Sequence, residues 1–131
     1  MSITRDLFAA RSDDFEQVLE LDYSGPPLPL VGADISMQVR LYAGQVGTPL
    51  AEIPAVEFLD ALSSGSASWR TLSVYPRIPK ETLEAFPTGL NLPEVGEADR
   101  YAYEIKIQYV DGKRDSVWTG AFILEPGVNK L

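Results

Sequence analysis

Any chemistry in this chain has to be done without two of the most reactive side chains, because it contains no histidine and no cysteine. That excludes a thiolate nucleophile, a disulfide framework and a Cys/His metal site. It also removes the usual base of a serine triad. A Ser–Lys pair needs a lysine in register with a serine, and none of Lys80, Lys106, Lys113 or Lys130 lies in a Ser-x-x-Lys spacing. Acidic groups occur at Asp13, Asp14 and Glu16 and again at Glu94, Glu97 and Asp99. Glycoside hydrolysis needs two carboxylates facing each other across a groove. Nothing in the spacing of these residues sets up such a pair, and solvated surface charge is the plainer reading. Asp111 and Asp115 could offer oxygens to Ca²⁺, but Lys113 and Arg114 stand between them where a calcium loop wants ligands. No glycine-rich phosphate loop is present. The expectation is a non-enzymatic chain with no catalytic, metal or cofactor-binding residue and no cofactor.

What remains are side chains suited to recognition. Trp69 and Trp118 could form a platform on which sugars stack, although a sandwich core commonly buries a tryptophan and packing is the first reading for both. Tyr101, Tyr103 and Tyr109 alternate along one segment, so they share a face. That face is expected to point inward, with Tyr101 and Tyr109 at its ends the most exposed. Val128 lies in a terminal segment that could add a strand to a neighbouring sheet edge, or simply fray. The candidate interaction surface is therefore Trp69, Trp118, Tyr101, Tyr109 and Val128.

The elements that must position these residues are short. The 131 residues suit one domain, and a chain of this length can bury roughly two-thirds of its unfolded surface without staples. Its hydrophobic fraction of 45% is that of a globular protein. A net charge of −8 repels phosphate, so no nucleic-acid partner is expected. No apolar run approaches the roughly 20 residues of a bilayer span, and Leu7-Phe8-Ala9-Ala10 is too short for a signal peptide. No membrane partner is expected, and the protein is expected to be made in the cytoplasm without cleaved-signal export.

Ten glycines and ten prolines cut the chain into segments of strand length. Phe15 to Tyr23 reads as the first strand, ended by Ser24-Gly25-Pro26-Pro27. Asp34 to Leu41 alternates, with Ile35, Met37, Val39 and Leu41 on one face. Leu50 to Leu62 is compatible with a strand at 51–56 or a helical turn at 56–62, so the stretch Pro54–Ser68 stays open. Trp69 to Tyr75 reads as a strand with Leu72 and Val74 on one face. Pro79 to Phe86 is the one helix, with proline in its first turn and Glu81 and Glu84 near its positive end. A polar loop spans 90–100. Tyr101 to Tyr109 is the clearest strand, Asp111-Gly112 signals a hairpin, and Ser116 to Leu124 returns with apolar residues on both faces. An antiparallel β-sandwich is the leading architecture, with a barrel as the alternative.

The order of these pieces resembles the small immunoglobulin-like β-sandwich domains of phage tail and baseplate-associated proteins. The matching residues run from Asp13-Asp14-Phe15 through Val18–Leu21, Ser24-Gly25-Pro26 and Leu28–Gly32 to Met37-Gln38-Val39-Arg40. In the second half they are Leu72-Ser73-Val74, Lys80–Phe86, Tyr101-Ala102-Tyr103-Glu104-Ile105, Asp111-Gly112, Gly120–Leu124 and Pro126-Gly127-Val128. The proline-bearing loop from Pro87 to Asp99 is longer than the pattern, and Pro54–Ser68 departs from it. The resemblance implies an all-β immunoglobulin-like sandwich with one short helix. It implies a phage or prophage virion structural or tail-accessory role, with other tail or baseplate proteins or further copies of the chain as partners. It carries no functional residues. A free carbohydrate- or peptide-binding module is the alternative. The expected layout is an N-terminal arm at 1–12, a sandwich domain at 13–125 and a C-terminal tail at 126–131.

Overall fold

The strand pattern above can be compared with a computed structural model, which describes residues 2–63, 65, 68–89 and 94–129. Among these are eleven strands and one helix. They are β1 (Ile3–Thr4), β2 (Leu7–Ala10), β3 (Phe15–Glu16), β4 (Leu19–Ser24), β5 (Asp34–Arg40), β6 (Ala51–Ile53), β7 (Glu57–Leu62), β8 (Trp69–Tyr75), β9 (Arg77–Ile78), α1 (Lys80–Glu84), β10 (Asp99–Gln108) and β11 (Arg114–Glu125). The larger sheet has the order β1-β11-β10-β5-β6, with β2 also on β11. The smaller sheet is β4-β8-β7, and β3 and β9 form a two-stranded ribbon. The fold is an all-β sandwich, as expected.

Alternation decides which face each strand buries. On β5, Ile35, Met37 and Val39 are buried, and on β10 Tyr101, Tyr103, Ile105 and Ile107 are buried. On the smaller sheet Leu19, Leu21, Leu72 and Val74 face inward, and one continuous core joins the two sets. The β10–β11 hairpin turns at Gly112, whose φ of 90° suits glycine, and Asp111 Oδ1 accepts the Lys113 N–H at 3.0 Å. The register slips between Ile105 and Lys106, so Val117 is an extra residue on β11. This bulge explains why Val117 and Trp118 are buried in succession, where strict alternation would expose one of them.

The N-terminal segment departs from the expected arm. Both β1 and β2 pair with β11, in parallel, and Leu7 is fully buried. Between the two strands the chain passes against Gly120 of β11, where a Cβ would collide with the Arg5 carbonyl oxygen. Glycine is required there by close approach. The Tyr103 hydroxyl donates to the same carbonyl at 2.5 Å, and Arg5 N–H donates to the Thr119 carbonyl at 2.9 Å.

Other boundaries also moved. The single strand expected over 15–23 divides at Gln17-Val18 into β3 and β4, which join different partners. Phe15, Leu19, Leu21 and Tyr23 keep one parity and are buried, which leaves Val18 half-exposed on the other. The open stretch at 54–68 contains β7, while 64, 66 and 67 lie outside the described residues, as do 90–93 of the polar loop and 130–131 of the tail. The helix is shorter than 79–86. Its first N–H, from Lys80, is satisfied from a distant strand connection by Asp14 Oδ1 at 2.8 Å.

A candidate interaction face on the smaller sheet

Leu19, Leu21, Tyr23, Leu72 and Val74 are buried in the core and Phe58 packs against it, whereas Leu62 at the end of β7 is exposed. The outward side chains, of which Ser73 is itself buried, make the opposite face. These are Glu20, Asp22 and Ser24 on β4, Glu57, Leu59 and Ala61 on β7, and Trp69, Thr71, Ser73 and Tyr75 on β8. Register sets them in rows: Glu20, Ser73 and Leu59 across one, Asp22, Thr71 and Ala61 across the next. Trp69 stands at one end of β8 and is 49% exposed, and Leu59 is 58% exposed beside the middle of the strand. Tyr75 closes the other end at 39%. An indole and a leucine this exposed, on one face of one sheet, mark a surface suited to contact with another molecule.

The polar groups on this face are ordered and of one sign. Among the outward residues just named, Glu20, Asp22 and Glu57 are acidic and none is basic. The Thr71 hydroxyl donates to Asp22 Oδ1 at 2.6 Å, and the Ser63 hydroxyl lies 2.7 Å from Thr71 Oγ1. Because Thr71 has spent its proton on Asp22, Ser63 is the donor in the second bond. The relay Ser63 to Thr71 to Asp22 holds the carboxylate in place in the row next to that of Leu59.

One side of this face is a sheet edge. Among the described residues β7 pairs with β8 alone. Ser63 N–H bonds to the Trp69 carbonyl, so Glu57, Leu59 and Ala61 point their backbone groups at β8. Alternation turns those of Phe58, Asp60 and Leu62 outward to the edge. Asp60 provides an inward-pointing charge of the kind that discourages indiscriminate strand pairing. Its Oδ2 accepts from the Tyr23 hydroxyl at 2.6 Å, and its Oδ1 lies 3.5 Å from Arg70 Nε, a charge pair whose geometry falls short of a hydrogen bond. Arg70 Nη2 also donates to the Asp60 carbonyl at 3.4 Å.

The five residues singled out from sequence do not come together. Trp69 lies on this face, contrary to its reading as a packing residue. Trp118 is 1% exposed and edges no surface. Tyr101, expected to be exposed at a strand end, is buried, because the N-terminal segment and the residues after α1 cover it. Its hydroxyl donates to the Pro87 carbonyl and accepts from Arg11, and its ring packs edge-on against Phe86. Tyr109 is partly buried and Val128 is fully exposed, well apart from Trp69 in the chain. Burial raises the pKa of Tyr101 and Tyr109, and pushes Tyr103 up to about 12.

The acidic clusters are also accounted for by local structure. Arg77 Nε lies 2.7 Å from Glu16, and its Nη2 lies 3.9 Å from Asp14. Glu97 accepts the Glu94 N–H within a turn. Asp99 is buried, bonded to the Gly89 N–H at 3.0 Å and paired with Arg11 at 3.3 Å. Asp111 holds the hairpin turn.

Sequence reading missed Leu59, Asp22 and Glu57, which share the outward face of the smaller sheet with Trp69. The run Glu57-Phe58-Leu59-Asp60-Ala61-Leu62 has apolar residues on both parities, which is why it did not declare a strand. In retrospect that pattern is the signal of a strand with one face in the core and the other available to a partner. No family model and no curated protein matches this chain.

Proposed function

We propose that the chain is a non-enzymatic structural or accessory protein of a phage or prophage virion, acting through protein–protein assembly in the tail. The observation that carries the assembly reading is the outer face of the smaller sheet, where Leu59, Trp69 and Tyr75 are exposed together beside an edge strand. Such a face supplies an aromatic anchor, an apolar step and an edge strand. The outward backbone groups of that strand, apart from the Asp60 carbonyl held by Arg70, face no neighbouring strand among the described residues. These are the means by which sheet proteins join others. The tail assignment rests on the ordered sequence resemblance running from Asp13 to Asn129.

The experiment is immunogold electron microscopy on particles induced from the source organism, with antibody against the purified protein. Gold on tails or baseplates is the expected result. Unlabelled particles with the protein free in the lysate would remove the virion reading. A second reading, a free carbohydrate- or peptide-binding module, draws on the half-exposed indole of Trp69. The two part company on Leu59→Lys, which breaks assembly onto a sheet edge and leaves stacking on Trp69 intact.

A further inference from the structure

The outer face of the larger sheet, on the opposite side of the sandwich, carries a groove of about 930 Å³. Ser36, Gln38 and Arg40 from β5 and Lys106, Gln108 and Arg114 from β10 and β11 lie along it. The loop from Tyr42 to Gly47 stands over one end. This loop is braced: Leu41 N–H donates to Gln45 Oε1 at 2.9 Å, Gln45 N–H to the Tyr42 carbonyl at 3.2 Å, and Arg40 Nη1 to the Gly47 carbonyl at 2.7 Å. The Tyr42 ring is 62% exposed at the rim.

We propose that this groove binds an oligosaccharide bearing carboxylate groups. The floor is made by β5 and β10, each paired on both sides, so it has no free backbone groups with which to hold a peptide strand. Recognition must come from side chains. Ser36 and Gln108 both donate and accept, which suits hydroxyl groups. Gln38 keeps a second N–H beyond its bonds to Glu52 and Arg40, Thr119 can accept while its proton goes to the Tyr103 carbonyl, and Tyr42 offers a ring for stacking.

The charge on this face selects the anion. Arg40 donates to two neutral oxygens, the Gly47 carbonyl and Gln38 Oε1, so its position is fixed while its charge is undiminished. Arg114 is exposed at the other end. Of the described residues lining the groove, Arg40, Lys106 and Arg114 are cationic and Glu104 is the one carboxylate, 3.3 Å from Lys106 and bonded to the Ser116 hydroxyl. Glu52, bonded to Gln38 at 2.6 Å, and Asp34, in register with Gln108, keep their charge outside that lining. Arg40 is in register with Ala102 and Arg114 with Gln108, about 20 Å apart along β10. A chain of several sugar rings spans that distance. The inference holds whether or not the chain is a virion part.

The test is titration of the full chain with size-defined galacturonic acid oligomers, followed by amide chemical shifts. The controls are the methyl-esterified oligomers and hexaglutamate. Expected are shifts along β5, β10 and the 42–47 loop at a dissociation constant on the order of 1 mM. Binding should weaken about tenfold on esterification, on Arg114→Gln and on Tyr42→Ala, both exposed positions whose variants keep the native spectrum. No shifts, shifts confined to the smaller sheet, equal binding of the ester, or equal binding of hexaglutamate would each overturn the proposal.

Discussion

Arg11 ties three parts of the fold that are distant in sequence, and replacing it by methionine tests how they are held. Its guanidinium donates to the Leu83 and Phe86 carbonyls at 3.1 and 2.8 Å, to Asp99 Oδ2 at 3.3 Å and to the Tyr101 hydroxyl at 3.3 Å. The first two are carbonyls at the end of α1, where a cation is favourable. Arg11→Met keeps much of the stem and deletes every one of these bonds. Removing one partner of a buried ion pair costs about 3–5 kcal/mol, because the other charge stays desolvated. The Arg11 and Asp99 side chains retain 14% and 12% of their exposure, and Asp99 keeps the Gly89 N–H, so the lower figure applies. We expect a loss of about 3 kcal/mol, a large share of a stability of roughly 5–15 kcal/mol, and a fall in Tm of roughly 10 °C. Urea unfolding followed by the emission of buried Trp118 measures it. In a cycle with Asp99→Asn, the two losses should fall short of additivity by about 1 kcal/mol or more. A loss under about 1 kcal/mol, or strict additivity, would refute the view that this pair fastens the N-terminal segment to β10 and α1.

Other outcomes follow from the same geometry. Acrylamide should quench the 49%-exposed Trp69 and spare Trp118, so Trp69→Phe leaves only blue-shifted, poorly quenched emission. Gly120→Ala places a Cβ against the Arg5 carbonyl and should release β1 and β2, seen as fast hydrogen exchange at residues 3–10 with slower exchange retained on β10. Tyr103 is held neutral in the fold with its pKa raised from 10.0 to about 12, so the unfolded chain loses this proton first. Stability is therefore fully present below pH 10 and is lost as pH rises toward 12. That decline should be shallower in Tyr103→Phe when denaturation midpoints are measured across this range. Leu59→Lys, on an exposed outward position, should change stability by no more than about 0.5 kcal/mol and, under the proposed tail role, abolish copurification with tail components.

Strands whose two faces meet different surroundings were legible. β5 and β10 have apolar residues on one parity, and their burial follows it residue by residue. β8 was found at its observed limits, and the hairpin at Asp111-Gly112 is where local turn chemistry put it. β7 escaped because both of its faces are partly apolar, and β1 and β2 because two and four residues are too few to show a period. Of the interaction face, Trp69 was named from its type, but its neighbours were not. Leu59 and Asp22 lie far from it in the chain and share its sheet face only through the pairing of β8 with β7 and β4, where they stand opposite Ser73 and Thr71.

By itself, then, the amino-acid sequence determined the class of the fold and the chemistry denied to it. Alternation and breaker spacing are local properties, and the absence of histidine and cysteine holds in any conformation. Tertiary structure alone decided which aromatic residues see solvent. Trp69 and Trp118 both lie on strands with apolar neighbours. A bulge in β11 and the N-terminal strand β1 enclose Trp118, while Trp69 keeps 49% of its exposure on the outer face of the smaller sheet. Exposure is a property of what packs on top, and that is written in pairings between residues as far apart as Arg5 and Thr119 rather than in any one segment.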